Sequence, residues 1–221
     1  LYGDDSWVKK GNSIPMPVIS DPPPVPPLQL IEDFESGSLP KDLKISEGNH
    51  AGAVSVIASE EAYSGNHLLK VQNTADQLHR YLPLFSVDPD HEDGVTRCAF
   101  RIRLAPDSVF QHEWRDSHSS YRVGPTLWIE NGKLRIGRGE QALVPVPSEE
   151  WIGIEVVAGL GEKAGTWKLT LTFLKSGETK TFTDLPIQNA EWKNLEWLGF
   201  VSQANTDTTL WIDDLEVTRP R

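Results

Sequence analysis

Thr166-Trp167-Lys168-Leu169-Thr170-Leu171-Thr172-Phe173 decides the fold class. Trp167, Leu169, Leu171 and Phe173 fall on one face of an extended chain, with Lys168, Thr170 and Thr172 on the other. A period of two sustained over eight residues is a half-buried strand and not a helix. Lys175-Ser176-Gly177-Glu178 follows as a hairpin tip, and 179–184 resumes strand composition. The alternation recurs upstream. Cys98, Phe100, Ile102 and Leu104 share a face opposite Arg97, Arg101 and Arg103; Ile152, Ile154 and Val156 oppose Trp151, Gly153 and Glu155. Antiparallel sheets with one apolar face bury it against a partner layer.

Outward from this hairpin the pattern repeats. Strands are expected at 28–35, 43–46, 53–58, 67–72, 79–87, 94–104, 121–130, 133–137, 142–146, 151–159, 166–174, 179–184, 196–203 and 208–218. Asn131-Gly132 between two such runs specifies a two-residue hairpin. Further turns fall at Ser36-Gly37, Ser64-Gly65-Asn66 and Gly159-Leu160-Gly161. No long amphipathic helix is present, and 188–195 offers at most a short helical turn. Many strands with almost no helix argue an all-β, two-sheet antiparallel sandwich over 28–221. Residues 1–27 differ. Asp21-Pro22-Pro23-Pro24-Val25-Pro26-Pro27 reads as a stiff extended linker or strap, with Tyr2 and Trp7 as its expected anchors.

The 221 residues suffice for a core without staples. The formal net charge is −11, from 32 acidic and 21 basic residues. That balance argues against nucleic acid and anionic lipid and favours neutral partners or cations. The single cysteine, Cys98, sits in an apolar run and reads as a buried small hydrophobe. No apolar run is long enough to cross a membrane. The chain begins at Leu1, which we read as a processed product or a piece of a longer protein, tethered to another domain upstream.

The two ends carry acidic strand motifs, Ile31-Glu32-Asp33-Phe34-Glu35-Ser36-Gly37 and Leu210-Trp211-Ile212-Asp213-Asp214-Leu215-Glu216-Val217. Between them, in order, stand Ser64-Gly65-Asn66-His67-Leu68-Leu69-Lys70-Val71, Gly132-Lys133-Leu134, Trp151-Ile152-Gly153-Ile154-Glu155, Thr166-Trp167-Lys168-Leu169 and Leu198-Gly199-Phe200-Val201-Ser202. This series resembles the concanavalin A-like jelly-roll domains of the laminin-G-like and carbohydrate-binding-module type, over roughly 28–219. The resemblance implies a polysaccharide or glycan ligand and an accessory role in a larger secreted bacterial protein, extracellular or periplasmic. It also implies a structural Ca²⁺ where the first and last strands meet. Glu35, Asp213 and Asp214 would be its ligands, with help from Asp33, since Ca²⁺ takes six to eight oxygens at about 2.3–2.6 Å.

The Glu-x-Asp-x-x-Glu strand of laminarinase-type jelly rolls is absent from the sequence. Gln111-His112-Glu113 is the nearest string to the Gln-x-His strand of alginate-lyase jelly rolls, without its frame. Two candidate sites follow. One is the polar-aromatic stretch 110–122, read as a long loop, with His112, Trp114, Tyr121 and Arg122 as ligand contacts. The other is a sheet-face platform of Arg101, Arg103, Trp128 and Gln203, where aromatic rings stack on sugars and polar groups bind hydroxyls. A non-catalytic carbohydrate-binding or adhesive module leads this reading. A glycoside hydrolase or polysaccharide lyase of the same fold, using His112, His118 and Tyr121, is the alternative. A structural protein-interaction domain is the third.

Overall fold

The computed structural model describes residues 26–137, 139 and 142–220. The strap expected over 1–27, with Tyr2 and Trp7, lies outside the described residues except for Pro26 and Pro27. Fifteen strands form among the described residues, beginning with β1 (Leu30–Glu32), β2 (Lys44–Ser46), β3 (Val54–Ala58), β4 (His67–Asn73) and β5 (Leu84–Val87). Next come β6 (Gly94–Leu104), β7 (Phe110–Arg115), β8 (Val123–Glu130), β9 (Lys133–Ile136) and β10 (Ala142–Pro145). The last are β11 (Ile152–Leu160), β12 (Thr166–Phe173), β13 (Glu178–Pro186), β14 (Trp197–Ser202) and β15 (Thr208–Thr218). One 3₁₀ turn, Gly161–Lys163, joins β11 to β12. Residues 188–195 form bends and a turn rather than helix. Among the described residues no helix is long and apolar enough to cross a membrane.

The strands build two antiparallel sheets. The eight-stranded sheet runs β13-β12-β11-β6-β15-β4-β3, with β1 on β15 beyond the end of β4. The seven-stranded sheet runs β10-β9-β8-β7-β14-β5-β2. The Asn131-Gly132 hairpin forms between β8 and β9, both residues at positive φ as a type I′ turn demands.

The expected inner faces are the core. Cys98, Phe100, Ile102, Ile154, Val156, Trp167, Leu169 and Leu171 are all buried. Across from them the seven-stranded sheet contributes Phe85, Phe110, His112, Trp114, Leu127 and Phe200. Phe85 stacks on Phe200 at 4.5 Å between centroids, and Phe100 meets Phe200 edge-on at 5.0 Å. Such offset and edge-to-face contacts add to what area burial alone supplies. Burial also pushes the Cys98 thiol upward in pKa, so the cysteine behaves as a hydrophobe.

The largest departure from expectation is β7. Residues 110–115 are not part of a long loop; they are a central strand paired to β8 and β14. The loop proper is 116–122.

Candidate functional site

Strand alternation on β7 sends Phe110, His112 and Trp114 into the core and Gln111, Glu113 and Arg115 outward. Register then lays out a surface. Gln111 faces Trp128 on β8 and Val201 on β14; Trp128 faces Arg135 on β9, and Val201 faces Leu84 on β5. One residue pair along, Glu113 lies opposite Gly199, and Arg115 opposite Trp197. This outer face floors a groove of about 820 Å³. Arg80, Tyr81, Tyr121, Gln188 and Gln203 complete its walls.

The polar groups of the floor are linked. Gln203 Nε2 donates to Gln111 Oε1 at 2.6 Å, and Gln111 Nε2 donates to Glu113 Oε2 at 2.7 Å. Arg115 Nε donates to the other carboxylate oxygen, Glu113 Oε1. Each member fixes the rotamer of the next, so the groove presents its donors in set positions. Arg115 is also held by two aromatic rings, its guanidinium carbon 4.0 Å from the Tyr121 ring centroid and 4.1 Å from that of Trp197. Trp197 lies flat because residue 199 is glycine; a Cβ there would stand 1.8 Å from the indole. Trp128 receives Arg135 over its ring at 5.3 Å. A surface of aromatic rings interleaved with amides and guanidinium groups suits a sugar, whose C–H faces stack while its hydroxyls take hydrogen bonds.

Of the residues named from sequence, Trp128, Gln203 and Tyr121 line this groove. Arg101 and Arg103 do not share it. They project from β6 on the outer face of the other sheet, because β6 belongs to the eight-stranded layer. Arg103 is engaged there by Glu61 and Glu149 and lies over Trp211; Arg101 lies over Tyr63. The four-residue platform is therefore corrected to two of its members.

His112 and Trp114 are corrected too. Both are interior, at 1% and 0% exposure. Trp114 Nε1 donates to His112 Nε2 at 2.8 Å, and His112 Nδ1 donates to the Gly199 carbonyl at 3.0 Å. Burial drives the His112 pKa down to about 3, so it stays neutral in the core. It cannot serve groove chemistry. Arg122 pairs with Asp116 and Glu191 rather than facing the groove, and His118 is exposed on the 116–122 loop. Sequence reasoning missed Gln111, Glu113, Arg115, Arg135, Arg80 and Tyr81. For the first three the signal was available, as the alternation Phe-Gln-His-Glu-Trp-Arg. Hydrolysis by paired acids would need a second carboxylate facing Glu113. Among the described residues lining the groove, Glu113 is the one carboxylate.

The two acidic motifs are brought side by side, since β1 pairs with β15. Their acids close the 63–67 turn. Glu35 Oε1 accepts the Asn66 and His67 amides at 2.8 and 2.7 Å, which hold its carboxyl below the usual range. Asp213, fully buried, accepts Tyr63 and Ser64 amides on one oxygen and its neighbour's amide on the other. Ser64 Oγ donates to Asp214. A calcium ion at these oxygens would face the positive ends of the same N–H groups. Among the described residues no group of three or more His, Cys, Asp or Glu side chains is gathered as a metal shell. As arranged, Glu35 Oε1 and both Asp213 oxygens serve amide donors.

No protein-family model and no curated protein matches the chain. Solved structures do. The chain is similar to a sialidase, at 12% identity and a TM-score of 0.57, over 86% of this chain and 18% of that one. It is similar to lectin II from Ulex europaeus, at 11% identity and 0.54, over 86% and 97%. An exo-β-agarase matches at 14% identity and 0.50, over 87% of this chain and 25% of its own. The chain thus spans less than a fifth of the sialidase and nearly the whole lectin. At these identities the likeness establishes the fold, a concanavalin A-like jelly-roll sandwich.

Proposed function

We propose that this sandwich is a carbohydrate-binding module whose site is the groove on the outer face of the seven-stranded sheet. One observation carries the reading. Trp128, Tyr121 and Tyr81 stand around a floor of ordered amide and guanidinium donors, and this combination matches the two faces of a pyranose. The lectin likeness supports it, because a whole lectin chain adopts the same sandwich. The test is a glycan array followed by calorimetric titration. Trp128→Ala should weaken the bound glycan about tenfold or more by removing a stacking ring. Arg103→Ala, on the opposite sheet, should leave binding unchanged. Wild-type affinity in Trp128→Ala, or no glycan bound at millimolar concentration, would sink the proposal.

The same reading makes the chain one module of a larger secreted bacterial protein that processes polysaccharides, outside the cell or in the periplasm. Its support is that a similar sandwich occupies 18% of a sialidase and 25% of an exo-β-agarase. Fractionation of cells carrying the native gene checks it; a cytosolic product would count against it.

A further inference from the structure

We infer that the glycan taken by this groove is anionic, its charge an oxyanion borne on the sugar. The inference rests on the sugar-binding reading and concerns what that site selects. The chain as a whole carries −11. The groove reverses that sign, since Arg80, Arg115 and Arg135 line it against Glu113.

The one carboxylate is turned away from a ligand's use. Its side chain is 7% exposed, with one oxygen bonded by Arg115 and the other by Gln111. The Arg115 side chain is 25% exposed. Its guanidinium carbon lies close to the Tyr121 and Trp197 rings, and Nε is committed to Glu113. Among the described residues, its two terminal nitrogens have no hydrogen-bond partner. Those nitrogens offer a ligand an in-plane N–H edge, the geometry that engages a carboxylate or sulfate with two parallel bonds. The clamp has already removed the rotamer freedom of the long side chain, so little ordering cost is left for binding.

Arg80 adds a second cation at the rim. Its Nε donates to the Gln203 carbonyl at 3.1 Å, which ties the loop before β5 to the same floor. Arg135 is more nearly neutralised, paired to Glu130. A neutral sugar would be served by the amides of Gln111, Gln188 and Gln203. Arg80, and the terminal N–H edge of Arg115 that Glu113 leaves unengaged, fit an oxyanion. If Arg115 serves only to hold Glu113, its loss should alter stability and not ligand choice.

Calorimetric titration of matched oligosaccharides decides this. One pair is a uronate oligosaccharide and its carboxyl-reduced counterpart, alike in linkage and length. A second pair is a sulfated oligosaccharide and its desulfated form. The charged member of at least one pair should bind about tenfold or more tightly than its neutral partner, and the preference should shrink as salt rises. The pair that responds identifies the oxyanion. Arg115→Gln and, independently, Arg80→Gln should lower affinity for the charged member by about 10- to 100-fold and for the neutral member by less than about threefold. Arg80 lies on the rim, so its variant keeps the test open if Arg115→Gln folds poorly. Neutral members binding as tightly as charged ones would overturn this inference and leave the sugar-binding reading standing. Failure of every member to bind, while the array finds a neutral glycan that does, would overturn this inference alone; failure there as well would overturn both.

Discussion

His112 and Glu113 are adjacent on β7 and face opposite sides of the seven-stranded sheet. His112 sits between a donor, Trp114 Nε1, and an acceptor, the Gly199 carbonyl. That pattern admits only the neutral tautomer with its proton on Nδ1. Adding a proton at Nε2 would set two donors against each other, besides charging a buried ring. The folded pKa of about 3 lies below the unfolded value of about 6.5. Between those values the unfolded chain binds a proton that the folded chain does not. Stability is therefore complete above about pH 6.5 and falls as pH drops toward 3, by up to about 4–5 kcal/mol. Urea denaturation at a series of pH values measures the slope, and His112→Gln, which keeps one donor and one acceptor, should flatten it. Asp213 carries the opposite sign. Burial raises its pKa, so its ionisation costs stability as pH rises through that value. Its three amide contacts nonetheless hold the 63–67 turn. Asp213→Ala strands those donors and should cost about 2–4 kcal/mol in the same assay, with Asp213→Asn costing less.

Strand β7 shows why an element can hide in a sequence. Gln, His, Glu and Arg are not among the β-branched and aromatic residues enriched in strands, and Asp116-Ser117-His118-Ser119-Ser120 directly after them reads as loop. What makes Phe110–Arg115 a strand is its place between β8 and β14, with hydrogen bonds on both edges. The strands with aliphatic inner faces, β6, β11 and β12, were legible because burial on one side only leaves a clean alternation. Strand β14 carries a second dependence. Gly199 leaves the space in which Trp197 lies flat against Arg115. Gly199→Ala should push the indole off the guanidinium. We expect a several-fold loss of glycan affinity with a small stability change, since one cation–π contact is worth about 0.5–1 kcal/mol at exposed sites. Titration and tryptophan fluorescence would register both effects. Unchanged affinity would mean that the Trp197 face is not part of the site.

At the scale of the molecule, β1 pairs with β15, and the carboxylates of both acidic motifs bond to amides of the 63–67 turn. Because Glu35 Oε1 and both Asp213 oxygens already accept amide hydrogens, EDTA should leave the melting temperature unchanged; a fall on chelation, restored by Ca²⁺, would show that an ion binds here. The sequence alone determined the strand periodicity, most turns and the two-layer architecture. These follow from a local two-residue alternation and from glycine and asparagine conformations, which need no knowledge of neighbours. Only the tertiary structure decided which outward residues share a surface. Arg101, Arg103 and Trp128 all point away from a core, yet they leave it on opposite sides, because sheet membership depends on pairing between strands distant in sequence. For the same reason Glu113, Arg115 and Trp197 become neighbours only when β14 docks on β7. The groove and its charge are products of that docking.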